Sequence, residues 1–149
     1  MICGMLLPNG LIYLTELRGK FKSNQYIELL KNYVLPLIKL NFKNFQIVQD
    51  NCRVHTSNLT KEFFNSNSIN VLTWPANSPD LNLMENIWKM MSDEIYSDCQ
   101  PRHLDELRSR IFKAAWELMN TKRNIMIGLY TSYRERLTFV LKNNGNLIN

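Results

Sequence analysis

Two short β-prone runs, Phe45-Gln46-Ile47-Val48-Gln49 and Ile69-Asn70-Val71-Leu72-Thr73, flank a segment from Ser57 to Phe64 that reads as a short helix. No other feature constrains the fold as much. Strand, helix and strand in alternation, followed by helices to the end of the chain, indicate an α/β fold with helices packed on a mixed sheet. Upstream, Met1 to Leu7 is mostly apolar and strand-like, and Leu11 to Glu16 reads as its returning partner. Pro8-Asn9-Gly10 lies between them, and Asn-Gly is a strong hairpin signal because both residues tolerate positive φ.

The helices are read from the 3.6-residue period. Ser23 is a capping residue, and Tyr26, Leu30, Tyr33, Val34 and Leu37 fall on one face after it. Pro36 sits inside that pattern and is expected to end or kink the helix near Leu35, because proline lacks the N–H and clashes with the preceding turn. Trp74 to Asp80 holds two prolines and reads as a loop. Asn82 caps a helix with Met84, Trp88, Met91 and Ile95 on its buried stripe. A further helix begins near His103, with Leu104, Leu107, Ile111, Ala114, Ala115 and Leu118 inward. A last one covers about Arg123 to Leu141.

Composition narrows the classes. The 149 residues are 45% hydrophobic and 21% charged, with a net charge of +5. That profile suits one globular domain and excludes disorder and a disulfide scaffold. No apolar run approaches the ~18–20 residues of a membrane span, so no membrane partner is expected. Three scattered cysteines, Cys3, Cys52 and Cys99, form no Cys-x-x-Cys pair, which argues against a structural zinc site and for reduced thiols. The basic excess permits an anionic partner.

Two segments carry the chemistry. In the first, Gln49-Asp50-Asn51-Cys52-Arg53-Val54-His55-Thr56, a carboxylate ends a buried strand and a histidine follows five residues on. Ligands gather at the carboxyl ends of strands in α/β sheets. In the second, Trp74 to Trp88, Glu85 lies in the first turn of a helix, on the flank of its apolar stripe. Each has an ordinary alternative. Asp50-Asn51 can be a turn that caps the next element, Glu85 stands at capping-box spacing from Asn82, and a lone histidine is more often structural than catalytic.

Taken together, Gln49-Asp50-Asn51 with His55-Thr56, Trp74-Pro75-Ala76-Asn77-Ser78-Pro79-Asp80-Leu81-Asn82, and Glu85-Asn86-Ile87-Trp88 resemble the DDE catalytic domain of mariner-superfamily transposases, in its nematode- and insect-type branch. The 34 residues between Asp50 and Glu85 match that branch's usual interval. The resemblance implies a ribonuclease H-like fold and DNA strand cleavage and transfer by two divalent metals, Mg²⁺ or Mn²⁺, with no small-molecule cofactor. Such ions, about 3.5–4 Å apart, stabilise the attacking and leaving oxygens together, and hard carboxylate oxygens suit them. Asp50 matches the family's second acid and Glu85 its third, as catalytic residues and metal ligands. Asn51, His55 and Asn86 match residues that would sit beside them. DNA and a homodimer are the implied partners, and the nucleus the implied location.

The family's first aspartate comes from a strand upstream of the hairpin, and neither Glu16 nor Glu28 replaces it. The expectation is therefore an N-terminally truncated domain, 1–149, without the family's helix-turn-helix modules and catalytically incomplete alone. Its hairpin would either pair with Phe45 to Gln49 or leave its edges open. The alternative is a non-catalytic DNA- or protein-binding module. Arg53, Lys61 and Lys89, with Lys122-Arg123 and Arg134/Arg136, are candidate phosphate contacts, which would carry no sequence code. An ordinary solvated surface explains such charges equally well.

Overall fold

A computed structural model describes residues 1–72 and 81–142. The chain forms two compact units, one of residues 17–78 with Met1, the other of residues 2–16 with 79–149. The expected loop from Trp74 to Asp80 lies outside the described residues.

The second unit opens with the hairpin. Strands β1 (Ile2–Leu6) and β2 (Ile12–Glu16) pair antiparallel, with Ile2 opposite Glu16 and Leu6 opposite Ile12. The turn differs from expectation. Only Gly10 takes positive φ, at 78°, and Asn9 does not. The Gly10 N–H donates to Leu7 O at 2.9 Å and the Leu7 N–H to Leu11 O at 2.9 Å. This is a three-residue loop with glycine at its left-handed position, in which Pro8 suits the preceding corner. Asn9 contributes through its side chain, whose Oδ1 accepts from the Leu11 N–H at 3.2 Å.

Helix α5 (Leu83–Ile95) begins where Asn82 Oδ1 accepts from the Met84 N–H at 3.1 Å. Helix α6 (Leu104–Thr121) is capped by His103, whose Nδ1 accepts from the Glu106 N–H at 3.2 Å, in keeping with a helix-start role. The last helix is two, α7 (Arg123–Thr131) and α8 (Tyr133–Lys142), parted at Ser132, whose hydroxyl donates back to Leu129 O. One core joins these elements: Ile12, Ile87, Met91, Ile95, Ala114, Ala115, Leu118 and Met126 are buried together. Met84 and Trp88 pack only at its border, and Leu104, expected inward, is 70% exposed. Glycine at position 4 brings β1 close to α5, since a Cβ there would lie 2.8 Å from two Trp88 ring atoms.

The first unit is helical. Its α1 (Ser23–Leu29) is capped by Lys22 rather than Ser23. A π-helical turn, Leu30–Val34, leads into α2 (Leu35–Asn41). Pro36 therefore does not end the helical path, although the path changes from a π-helical turn to an α-helix at Leu35, just before it. It stands in the first turn of α2, where a missing N–H costs little, and the wide turn before it relieves the ring's clash. Tyr26, Leu30 and Val34 are buried as expected, but Tyr33 is 56% exposed and Leu29, Leu35 and Ile38 complete the face. Helices α3 (Arg53–Thr56) and α4 (Asn58–Ser66) pack against α1 and each other. After α4, Ser68 takes φ 53°, and the Ile69 N–H closes onto Phe64 O at 2.9 Å.

The two expected central strands shrink to one parallel bridge between Ile47 and Val71. It consists of the Ile47 N–H to Asn70 O and the Leu72 N–H to Ile47 O, both 2.9 Å. Among the described residues β1 and β2 pair only with each other, so of the two outcomes expected for the hairpin, open edges is the one observed. No described helix is long and apolar enough to cross a membrane, and among the described residues no disulfide joins Cys3, Cys52 and Cys99.

Candidate functional site

Asp50 follows the short bridged segment and sits in front of α3. Its Oδ1 accepts from the Cys52 N–H at 3.0 Å, the geometry of an Asx turn, and meets His55 Nδ1 at 2.6 Å. The turn-forming and site-forming readings of Asp50 are thus served by one oxygen atom. Its Oδ2 makes no hydrogen bond among the described residues, and the side chain is half exposed.

His55 is held from behind. The Tyr26 ring lies against its imidazole with centroids 4.5 Å apart. The Tyr26 hydroxyl donates to Gln49 Oε1 at 2.6 Å, and Gln49 Nε2 donates to the His55 carbonyl at 3.2 Å. The residue before Asp50 and the residue that contacts it are therefore tied to one buried tyrosine. Thr60, fully buried, adds a further tie by donating to Val54 O at 2.6 Å. Sequence reasoning placed Tyr26 on an apolar stripe and missed this role. The signal was a tyrosine in an otherwise largely aliphatic face, since a buried hydroxyl must find a partner. Asn51 and Arg53 are exposed on either side of Cys52, and Lys61 is exposed on α4.

Glu85 is in the second unit, in the first turn of α5 and exposed. Its carboxylate makes no hydrogen bond or ion pair among the described residues, so the capping-box alternative is not realised. A negative charge in a first turn is still favoured by the helix dipole. Next to it, Asn86 Oδ1 accepts from Arg136 Nη1 of α8 at 3.3 Å. Lys89, one turn on, is exposed. The structure thus gathers Asp50 with His55 in one unit, and Asn86 with Arg136 beside Glu85 in the other.

Each of these exposed carboxylates, taken within its own unit, keeps an oxygen of the hard kind that divalent cations prefer. Among the described residues no three His, Cys, Asp or Glu side chains cluster as a metal site.

Charge is divided unevenly between the units. The first has eight Lys and Arg against three Asp and Glu, and the second has ten of each, so the whole surplus of +5 belongs to the first. All eight cations of the first unit are exposed, and none forms a salt bridge among the described residues. In the second unit Arg108, Arg110 and Lys113 are paired with acids.

A family model described as DDE superfamily endonuclease matches residues 1–108. The Tc3 transposase of Caenorhabditis elegans is 28% identical over 150 residues, covering 100% of this chain and 45% of that protein. The Tcb2 transposase of Caenorhabditis briggsae is 37% identical over 65 residues, 43% of this chain and 24% of that one. The chain therefore spans less than half the length of the curated relatives it matches. Among solved structures, the Mos1 transposase catalytic domain with raltegravir and Mg superposes with TM-score 0.80 at 16% identity, covering 99% of this chain and 76% of that one. The same domain with raltegravir and Mn gives 0.79 at 13% identity, over 99% of this chain and 76% of that one. At those identities the likeness is one of fold, and the fold is the ribonuclease H-like one.

Proposed function

The chain belongs to the DDE superfamily endonuclease family, with the ribonuclease H-like fold of a mariner-type transposase domain, and from that premise we propose that it is a transposase-derived domain for metal-dependent cleavage and transfer of DNA strands. The observation that carries the reading is the state of its two acids. Asp50 is braced through one oxygen and keeps the other uncommitted, and Glu85 keeps both. On this reading Asp50 and Glu85 hold Mg²⁺ or Mn²⁺, which when bound offsets charge on the attacking and leaving oxygens of a phosphodiester. His55 and the Cys52 N–H fix the Asp50 carboxylate, so less side-chain freedom is lost when a cation or phosphate arrives. Asn86, itself oriented by Arg136, presents a polar edge beside Glu85. Asn51, Arg53, Lys61 and Lys89 are exposed where a polar or cationic group can meet phosphate.

The family's chemistry uses three carboxylates, and this chain matches two. DNA is the proposed partner, the homodimer the proposed assembly and the nucleus the proposed location, all three on the family resemblance. A second reading, a DNA-binding module without chemistry, is favoured by the charge surplus of the first unit. Titrating Mn²⁺ by electron paramagnetic resonance, beside a plasmid-nicking assay, separates the two. Under the first reading Asp50→Asn and Glu85→Gln each weaken Mn²⁺ binding at least about tenfold, in line with loss of a ligand. Mn²⁺ binding indifferent to both substitutions, with DNA binding intact, would favour the second.

A further inference from the structure

The segment before α1, Leu17-Arg18-Gly19-Lys20-Phe21-Lys22, carries three cations in five residues, Arg18, Lys20 and Lys22, all exposed. No acid occurs between Glu16 and Glu28, and Glu16 is already held by Arg108 at 2.9 Å. The loop therefore has no local counter-charge. It is nonetheless anchored. Phe21 is half-buried and meets the Tyr26 ring edge-on, with centroids 6.1 Å apart. The Lys22 N–H donates to Gln25 Oε1 at 2.9 Å, which fixes the loop's end to the start of α1. Gly19 takes φ 73°, with open space where a side chain would stand. Backbone there can approach a ligand closely.

Phe21 packs on the same tyrosine that backs His55, and His55 contacts Asp50. Two aromatic contacts and the His55–Asp50 hydrogen bond thus connect the loop, through Tyr26 and His55, to the Asp50 carboxylate within one unit. A fixed loop of cations without salt-bridge partners, in the same unit as the acid proposed above to act on phosphodiesters, suits one partner, the phosphate backbone of DNA. We propose that residues 17–22 form a phosphate-binding loop that holds duplex DNA beside Asp50. The inference rests on the DNA reading above and assigns its contact surface. Contacts of this kind position the duplex and raise affinity without reading sequence.

The test measures binding of a labelled duplex of arbitrary sequence against salt, for three proteins. One is the chain itself, the second carries Arg18→Gln, Lys20→Gln and Lys22→Gln, and the third carries Arg102→Gln, Lys113→Gln and Lys142→Gln from the second unit. The two variants lose the same charge from exposed positions. Each phosphate contact contributes about 0.9 to the slope of log affinity on log salt, so the loop variant should lose about 2–3 from that slope and at least about tenfold in affinity at ~0.1 M salt, while the control keeps its slope. Equal losses in both variants, or an unchanged slope in the loop variant, overturn the loop and leave the DNA reading standing. Absence of duplex binding by the parent chain even at low salt removes the DNA reading itself. Tighter binding to phosphatidylserine vesicles than to duplex also overturns the proposal, in favour of an anionic membrane surface.

Discussion

Gly4 is expected to be irreplaceable for space rather than for backbone freedom. A Cβ at position 4 would lie 2.7 Å from Met84 Cε and 2.8 Å from Trp88 Cη2 and Cζ2, whereas ordinary contact begins near 3.4 Å. The shortfall is about 0.6 Å. Met84 ends in a flexible methyl that can swing away, but the indole is a rigid plate whose ring must move as one body. Overpacking of this kind costs about 1–3 kcal/mol. Alanine recovers about 0.5–1 kcal/mol from glycine's entropy in a strand. Gly4→Ala should therefore cost about 1–2 kcal/mol net, or about 2–8 °C in Tm for a chain of this length. Urea unfolding followed by circular dichroism measures it as a shift of midpoint at constant slope. The reasoning also fixes a partner: in a Trp88→Leu background the penalty should largely vanish, since the rigid ring is gone. A Gly4→Ala protein as stable as the parent, or a penalty undiminished in the Trp88→Leu background, would refute it.

Three further outcomes follow from single groups. Ser68→Gly should stabilise the first unit by about 0.5–1 kcal/mol, because a left-handed residue with a side chain costs about 1–2 kcal/mol and glycine returns part of that as entropy; an unchanged or lower urea midpoint would contradict this. Asn82→Ala removes the oxygen that caps α5 and should cost about 1 kcal/mol, read as a fall of about 2–4 °C in Tm, and an unchanged Tm would show the cap to be dispensable. Glu106 accepts from the Arg102 N–H at 2.8 Å and from Arg110 Nη2 at 2.7 Å, and these bonds hold its carboxyl below the ordinary 4.5. A carboxyl lowered on folding contributes stability above pH 4.5 that fades as pH falls through the lowered value. The gap in urea midpoint between the parent and Glu106→Gln should accordingly narrow below that pH, and a gap constant from pH 3 to 7 would exclude the mechanism.

Much of this was legible because local rules and tertiary packing agree. Asn82, His103 and the stripe ending in Met91 and Ile95 were readable since a cap and a 3.6-residue period are both local signals. What escaped the sequence was decided by partners distant along the chain. Phe45 to Gln49 has strand-like residues, yet only Ile47 finds a bridge, because a strand exists only to the extent that another pairs with it. Pro36 looked like a helix end because a widened turn upstream leaves no mark in composition. Leu104 has helical period but begins α6 beyond the reach of the core. At the site, the motifs named Asp50, His55, Glu85 and Asn86 as candidates, and the structure brings His55 into contact with Asp50. The bracing of His55 by Tyr26 was not legible, because 28 residues lie between the two and no periodicity connects them.

The second unit is discontinuous in sequence: its hairpin ends at Glu16 and its helices begin only after residue 79. On a ribosome this becomes a matter of time. At about 5–20 residues per second, roughly 4–17 s separate the synthesis of Gly4 from that of Trp88, against which it packs. The intervening residues form the other unit and have their core partners locally, so they can begin to fold first. Throughout that interval Leu6, Ile12 and Leu14 have no core to enter, and an exposed hairpin edge can pair with another chain. The nested layout thus makes the hairpin the part of the second unit that waits longest for its core during synthesis.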